Sequence, residues 1–219
     1  MSHRHRLAAL VVPLVVLAGC SADQTAQDGA TTTEASAAAV ESSASPAGTA
    51  GGDEGAPGRC GASDAEMAVV SAAGEPTLEV PQPAGWERNS QLDSELVRQA
   101  LVNPGLAASG FAPNVVVTAE PSPADVEAAF DRQIAAMRAS GASEPALERG
   151  QVCGFESMTV RHVLPEMGTV PQRPAVVQII VVPAGAETVT YTMTAQATEP
   201  LDPAYERDVA EMFAGVRIS

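Results

Sequence analysis

The side chains able to do chemistry in this 219-residue chain are few: three cysteines, three histidines and 27 acids. A histidine beside a serine or cysteine would cleave esters or amides, and a histidine–cysteine cluster would hold zinc. His3 and His5 sit at the extreme N-terminus, so His162 alone remains for such work in the body of the chain. Its partner would be a serine such as Ser157, which makes an envelope ester hydrolase the remote enzyme alternative. Against it, the body of the chain contains no G-x-S-x-G, H-E-x-x-H, Walker A or G-x-G-x-x-G pattern. One histidine and two cysteines cannot close a zinc site, and no D-x-D-x-D-G calcium loop occurs. There is no lysine, which removes Schiff-base and PLP-lysine chemistry. The carboxylate pairs Glu144/Glu148 and Glu206/Asp208 read as solvated faces or loops. His162 shares one strand face with Met158, Val160 and Leu164. It reads as a half-buried sheet histidine bonded to backbone, with ligand contact or a pH switch as alternatives. The expectation is a non-enzyme with no catalytic residue, no metal and no cofactor.

Cys20 takes a different chemistry. Arg4 and Arg6 precede an uncharged apolar run from Leu7 to Leu17, and the small residues Ala18 and Gly19 stand before Cys20. A charged n-region, a short h-region and a small-residue cleavage site make a secretory signal peptide. The run is too short to cross a ~30 Å hydrocarbon core as a helix. Leu17-Ala18-Gly19-Cys20 resembles a bacterial lipobox. That resemblance implies cleavage before Cys20, a diacylglycerol on its sulfur and an amine open to palmitate-type acylation. Each buried CH₂ contributes about 0.8 kcal/mol, and two chains hold where one does not. The expected location is the extracytoplasmic face of the cell membrane, with the membrane a partner through the lipid anchor.

Charge and the remaining cysteines agree with export. The net charge is −15, and all 12 basic residues are arginine. Nothing basic clusters to neutralise phosphates, so nucleic acid is not an expected partner. Anionic headgroups repel such a surface, so membrane contact must come from the anchor. With Cys20 consumed by lipid, Cys60 and Cys153 are an even pair in an oxidising compartment. A disulfide between them would stabilise by about 4–5 kcal/mol in the entropic model. Two free thiols or a redox pair are the alternatives, and no Cys-x-x-Cys spacing supports the latter.

The elements that would position these groups fall into three parts. Residues 1–19 are the signal peptide, 20–59 the lipidated cysteine and a disordered tether, and 60–219 one folded domain. From Ser21 to Arg59 there is no aromatic residue, and Val40 is the one large aliphatic. Such composition cannot bury enough apolar surface to offset its ordering entropy. In the domain, Ser122-Pro123-Ala124-Asp125 reads as a helix start, with Val126, Phe130, Ile134 and Met137 on one face and Gly141 at the end. Asp202-Pro203 opens a second helix with a Tyr205, Val209, Met212, Phe213 stripe before Gly215. Ala175–Pro183 and Glu187–Thr198 are β-branched runs joined by Ala184-Gly185-Ala186, a hairpin signal. In the second run an apolar face alternates with a threonine ladder, expected solvated or lightly covered. Asn114–Ala119 and Gly154–Leu164 are two more strands. Leu78–Val80 reads as an edge strand leaving the sheet at Pro81 and Pro83. The fold class is α+β, a mostly antiparallel sheet flanked by helices.

Three segments carry a family resemblance: the Pro81-x-Pro83-x-Gly85-Trp86 turn, Asn103-Pro104-Gly105-Leu106, and Gly110-Phe111-Ala112-Pro113-Asn114-Val115-Val116-Val117. With the helix after them and the closing hairpin and helix, Thr77–Ser219 resembles the LpqN/LpqT family of lipoproteins from mycolic-acid-bearing actinobacteria. The resemblance implies a PsbP-like fold, an antiparallel sheet sandwiched by helices. It also implies a cell-envelope lipoprotein without established catalysis, tied in some members to envelope lipid export or to docking on other proteins. No catalytic residue transfers.

Binding candidates cluster at one edge. Trp86 is the sole tryptophan, either a core anchor or a ligand-stacking platform. Phe111 lies in a Gly/Pro-bounded loop, either an exposed apolar contact or a buried anchor. Asn114 is a turn residue bonding its own backbone or a polar group at a cleft rim. The reading is a tethered domain that binds an envelope lipid or a partner protein along Trp86, Phe111 and Asn114. A docking or scaffold module without a small ligand is the alternative.

Overall fold

The computed structural model describes residues 60–142 and 145–219. The signal peptide, lipobox, Cys20, tether and Glu144 lie outside the described residues. No helix among those described is long and apolar enough to cross a membrane.

Two antiparallel sheets form the domain. The smaller contains β1 (Glu66–Val69), β2 (Leu78–Gln82) and β10 (Arg217–Ile218), in the order β1-β2-β10. The larger holds β3 (Glu87–Arg88), β4 (Val97–Val102), β5 (Asn114–Ser122), β6 (Ala146–Val152), β7 (Phe155–Leu164), β8 (Arg173–Ala184) and β9 (Glu187–Gln196). Its order is β3-β4-β5-β9-β8-β7-β6. The two helices are α1 (Val126–Ala139) and α2 (Pro203–Ala214). The β8–β9 hairpin pairs from Ala184↔Glu187 to Ala175↔Gln196, as its β-branched runs predict. Leu78–Val80 corrects the expectation: it belongs to the central strand of a second sheet and is not an edge. The strand runs on through Pro81, which sits opposite Met67, while β10 pairs only with Leu78 and Glu79.

Both faces of the larger sheet are covered. On one, Val115, Val117, Ile180, Val182, Tyr191 and Met193 pack with Tyr205, Val209 and Met212 of α2 and with Leu78, Val80 and Ile218 of the small sheet. On the other, Met158, Val160, Val177, Ile179 and Val181 receive Ala129, Phe130 and Ile134 of α1. The threonine ladder of β9 lies in register with this second cluster, Thr190 opposite Val181 and Thr192 opposite Ile179. It is therefore not solvated: Thr190 is fully buried, and the Oγ1 atoms of Thr190 and Thr192 have no hydrogen-bond partner among the described residues.

The helix starts follow local chemistry. Asp202 caps α2 through its side chain to the Ala204 N–H, with Pro203 in the first turn. Helix α1 begins later than Ser122 suggests. Asp125 is its cap, accepting from the Ala128 N–H at 2.8 Å, while Ser122 ends β5 opposite Thr188. At the far end Gly141, at φ +85°, lets Ala142 N–H reach Met137 O and its own N–H reach Arg138 O, closing a Schellman turn.

The Cys60–Cys153 disulfide is present, with Cα atoms 4.8 Å apart. It joins the first described residue to the β6–β7 turn. A Cβ at Gly61 would collide with the backbone of Gly215 and Val216, so only glycine lets the chain lie this close to the end of α2. Arg217 Nε to Gly61 O at 3.1 Å and Ser63 Oγ to Glu211 Oε1 at 2.7 Å hold the same strap.

Candidate functional site

Between α2 and the β6–β8 part of the sheet lies a cleft of about 570 Å³. That volume falls within the range of small-molecule sites. Helix α2 supplies Tyr205, Val209 and Phe213 from its apolar stripe, with the exposed Ala210 and Ala214 beside them. The sheet supplies Val152, Val176 and Gln178, and the Cys60–Cys153 disulfide closes one wall. Gln178 is 8% exposed, and its Oε1 has no hydrogen-bond partner among the described residues. Thr159 stands opposite Gln178 on β7, so its side chain shares that face. Burial, with the Glu206 charge adding to it, pushes the Tyr205 phenol above its ordinary range and keeps it a neutral donor. Arg161 and Glu206 give the lining one charge of each sign. Arg161 also meets exposed Glu148 at 3.3 Å. The chemistry on offer is a half-open cleft of mixed lining, apolar along Val209, Phe213, Val152 and Val176 and polar at Thr159, Arg161, Gln178 and Glu206: it can hold an apolar chain and orient a hydrogen-bond donor.

Of the residues weighed as functional candidates in the sequence, Cys60, Cys153 and Glu206 reach this cleft, together with Tyr205, Val209 and Phe213 of the α2 stripe. Trp86 is a core anchor, 3% exposed, with its ring 6.4 Å from that of Tyr205. Its indole N–H donates to Asp208 Oδ2 at 2.9 Å. Asp208 itself corrects the solvated reading of the Glu206/Asp208 pair, being 4% exposed while Glu206 stays exposed. The spacing explains this. Asp208 is three residues after Tyr205 and four before Met212, so it shares their inward face.

Phe111 is 5% exposed and so is not an open apolar contact. Its ring lies against the Arg173 guanidinium, 4.8 Å from ring centroid to Cζ. Arg173, only 1% exposed, donates from Nε to Gln196 Oε1 at 2.7 Å. Gln196 in turn donates from Nε2 to Asn114 Oδ1 at 2.9 Å, and Asn114 Nδ2 donates to Ala112 O at 3.2 Å. Asn114 thus bonds its own backbone, as a turn residue would. With Trp86 and Phe111 inside, the three residues do not form an exposed binding edge.

His162 and Ser157 do not meet. They lie five residues apart on β7, about 17 Å along the strand, and the odd spacing puts them on opposite faces. His162 is 7% exposed, and among the described residues no side chain partners its ring nitrogens. Burial lowers its pKa below the usual 6.5, with the Val163 backbone opposing weakly. Among the described residues no group of three or more His, Cys, Asp or Glu side chains could hold a metal ion. The cleft residues the sequence reading missed are Gln178, Thr159 and Arg161. Gln178 had a visible signal, a lone amide inside the apolar run Ala175–Pro183.

No protein-family model matches this chain, and no curated protein is similar to it at a significant level. Among solved structures, the fold is similar to LpqN, involved in cell envelope biogenesis of Mycobacterium tuberculosis, at TM-score 0.55. The two are 13% identical over 70% of this chain and 90% of that one. The likeness establishes a related fold. The Ran-binding protein Mog1p of Saccharomyces cerevisiae is more distant, at TM-score 0.45 and 14% identity over 70% of this chain and 95% of that one.

Proposed function

We propose that this protein is a membrane-anchored envelope lipoprotein of the LpqN/LpqT kind, with a PsbP-like domain that binds an envelope lipid without chemical turnover. The cleft under α2 carries the reading: a half-open volume of about 570 Å³ with an apolar strip and a buried Gln178 carbonyl that has no hydrogen-bond partner among the described residues. Such an arrangement suits an amphiphile whose chain lies along Val209 and Phe213 and whose polar end donates to Gln178. The lipobox-like Leu17-Ala18-Gly19-Cys20 and the fold shared with LpqN support an envelope setting. Support for export of envelope lipids follows as the cellular role.

The test uses the full chain and the uncharged dye N-phenyl-1-naphthylamine, whose fluorescence rises in apolar sites. Ala210→Trp fills the cleft from an exposed helix position and so leaves the core intact. The expected result is saturable dye binding by the wild type, weakened at least tenfold in Ala210→Trp. Equal affinity in the two proteins would place the dye elsewhere and remove the cleft from the proposal.

A further inference from the structure

The buried cation on the other face of the sheet has no use in lipid binding. Arg173 and His162 share the α1-facing side of β7 and β8, because His162 pairs with Ala175 and side chains alternate. The cleft residues Thr159, Val176 and Gln178 occupy the opposite side. Arg173 is 1% exposed, and among the described residues no carboxylate pairs with it. Its Nε is satisfied by Gln196. Its Nη1 has a 3.5 Å contact to Pro171 O, and its Nη2 has no hydrogen-bond partner among the described residues. One edge of the guanidinium is therefore spoken for, and the forked Nη1/Nη2 edge is nearly free. A charge taken out of water without a counter-ion is strongly disfavoured. Burial accordingly lowers the Arg173 pKa.

We propose that the Nη1/Nη2 fork of Arg173 binds a small monovalent carboxylate. Two coplanar oxygens match the fork as paired parallel hydrogen bonds. Charge balance selects the class: one carboxylate neutralises one guanidinium, whereas a phosphate dianion would leave a net negative charge buried. Phe111 covers one face of the planar guanidinium, and the Asn114–Gln196 pair fixes its Nε edge. Entry is by the loops that lead to Phe111 and Pro171. Each closes on a single bridge pair, Ala108↔Phe111 and Met167↔Val170, and not on a ladder. Segments so lightly bonded open at lower cost than the sheet beneath.

The experiment replaces sodium chloride with sodium acetate mole for mole, so that ionic strength is constant for this acidic chain. Thermal unfolding of the full chain and the ¹⁵N side-chain resonance of Arg173 are followed together. The midpoint is expected to rise saturably with acetate, the Arg173 resonance to shift with the same half-saturation, and phosphate to bind more weakly than acetate. Arg173→Gln is expected to weaken acetate binding at least tenfold. Should that variant not fold, Phe111→Leu keeps an apolar cover and is expected to weaken acetate binding several-fold. The proposal is overturned by a wild type without saturable acetate dependence, by phosphate binding tighter than acetate, or by an acetate effect undiminished in the folded variant.

Discussion

Removing the Asp208 carboxylate tests how α2 is fixed to the body of the domain. Asp208 is 4% exposed and its Oδ2 takes the Trp86 indole N–H at 2.9 Å. Its Oδ1 takes Arg207 Nη2 at 2.8 Å, but that arginine side chain is 70% exposed. The arginine pair therefore contributes about 0–1 kcal/mol, and the indole bond is the larger effect. A hydrogen bond to a charged group contributes roughly 1.5–3 kcal/mol, and an indole N–H left buried and unpaired costs about 1–3 kcal/mol. These overlap in part, so Asp208→Ala should destabilise by about 3 kcal/mol. For a domain of this size that lowers Tm by about 6–12 °C. Asp208→Asn keeps an acceptor for the indole and should cost only about 1 kcal/mol. Trp86 is the single tryptophan, so urea unfolding read by its fluorescence reports on the site itself. A midpoint for Asp208→Ala within about 0.5 kcal/mol of the wild type would refute the reasoning, because changes of that size are ordinary for surface positions.

Two further outcomes follow from the same structure. The paired replacement Cys60→Ser with Cys153→Ser opens a loop with a sequence separation of 93 and should cost about 4–5 kcal/mol in urea unfolding, an upper figure since native strain is ignored. A loss below about 1 kcal/mol would show that the strap is held by its other contacts alone. His162, its pKa lowered by burial, makes the folded state bind protons less readily than the unfolded chain. Stability is thus full above the unfolded value of 6.5 and falls as pH drops below it, until the folded state is protonated too. His162→Leu should flatten that slope between pH 6.5 and 5. An unchanged slope would mean that other groups set it.

How much was legible depended on whether a residue's role was local. The α2 cap at Asp202, its Tyr205–Val209–Met212 stripe and the β8–β9 hairpin were readable because capping and periodicity act within a few residues. Strands β4 and β6 gave little signal. Six of the seven residues of β6 are exposed at the sheet edge, so no apolar alternation marks them. Ser122 imitated a helix cap, yet strand pairing with Thr188 extended β5 through it and passed the role to Asp125.

The sequence by itself pointed to a Cys60–Cys153 pair, with free thiols or a redox pair as alternatives, and to a mostly antiparallel sheet with two helices. Each rests on composition or short-range spacing. The tertiary structure alone decided which polar groups lie inside. Asp208 was drawn in by Trp86, which comes from 122 positions earlier in the chain. Arg173 was enclosed beneath Phe111, and the Gln178 carbonyl was left in the cleft under α2 without a hydrogen-bond partner among the described residues. Burial is a property of what packs from elsewhere in the chain. A charge or amide therefore reads as solvated in sequence until the distant elements that exclude its water are in place.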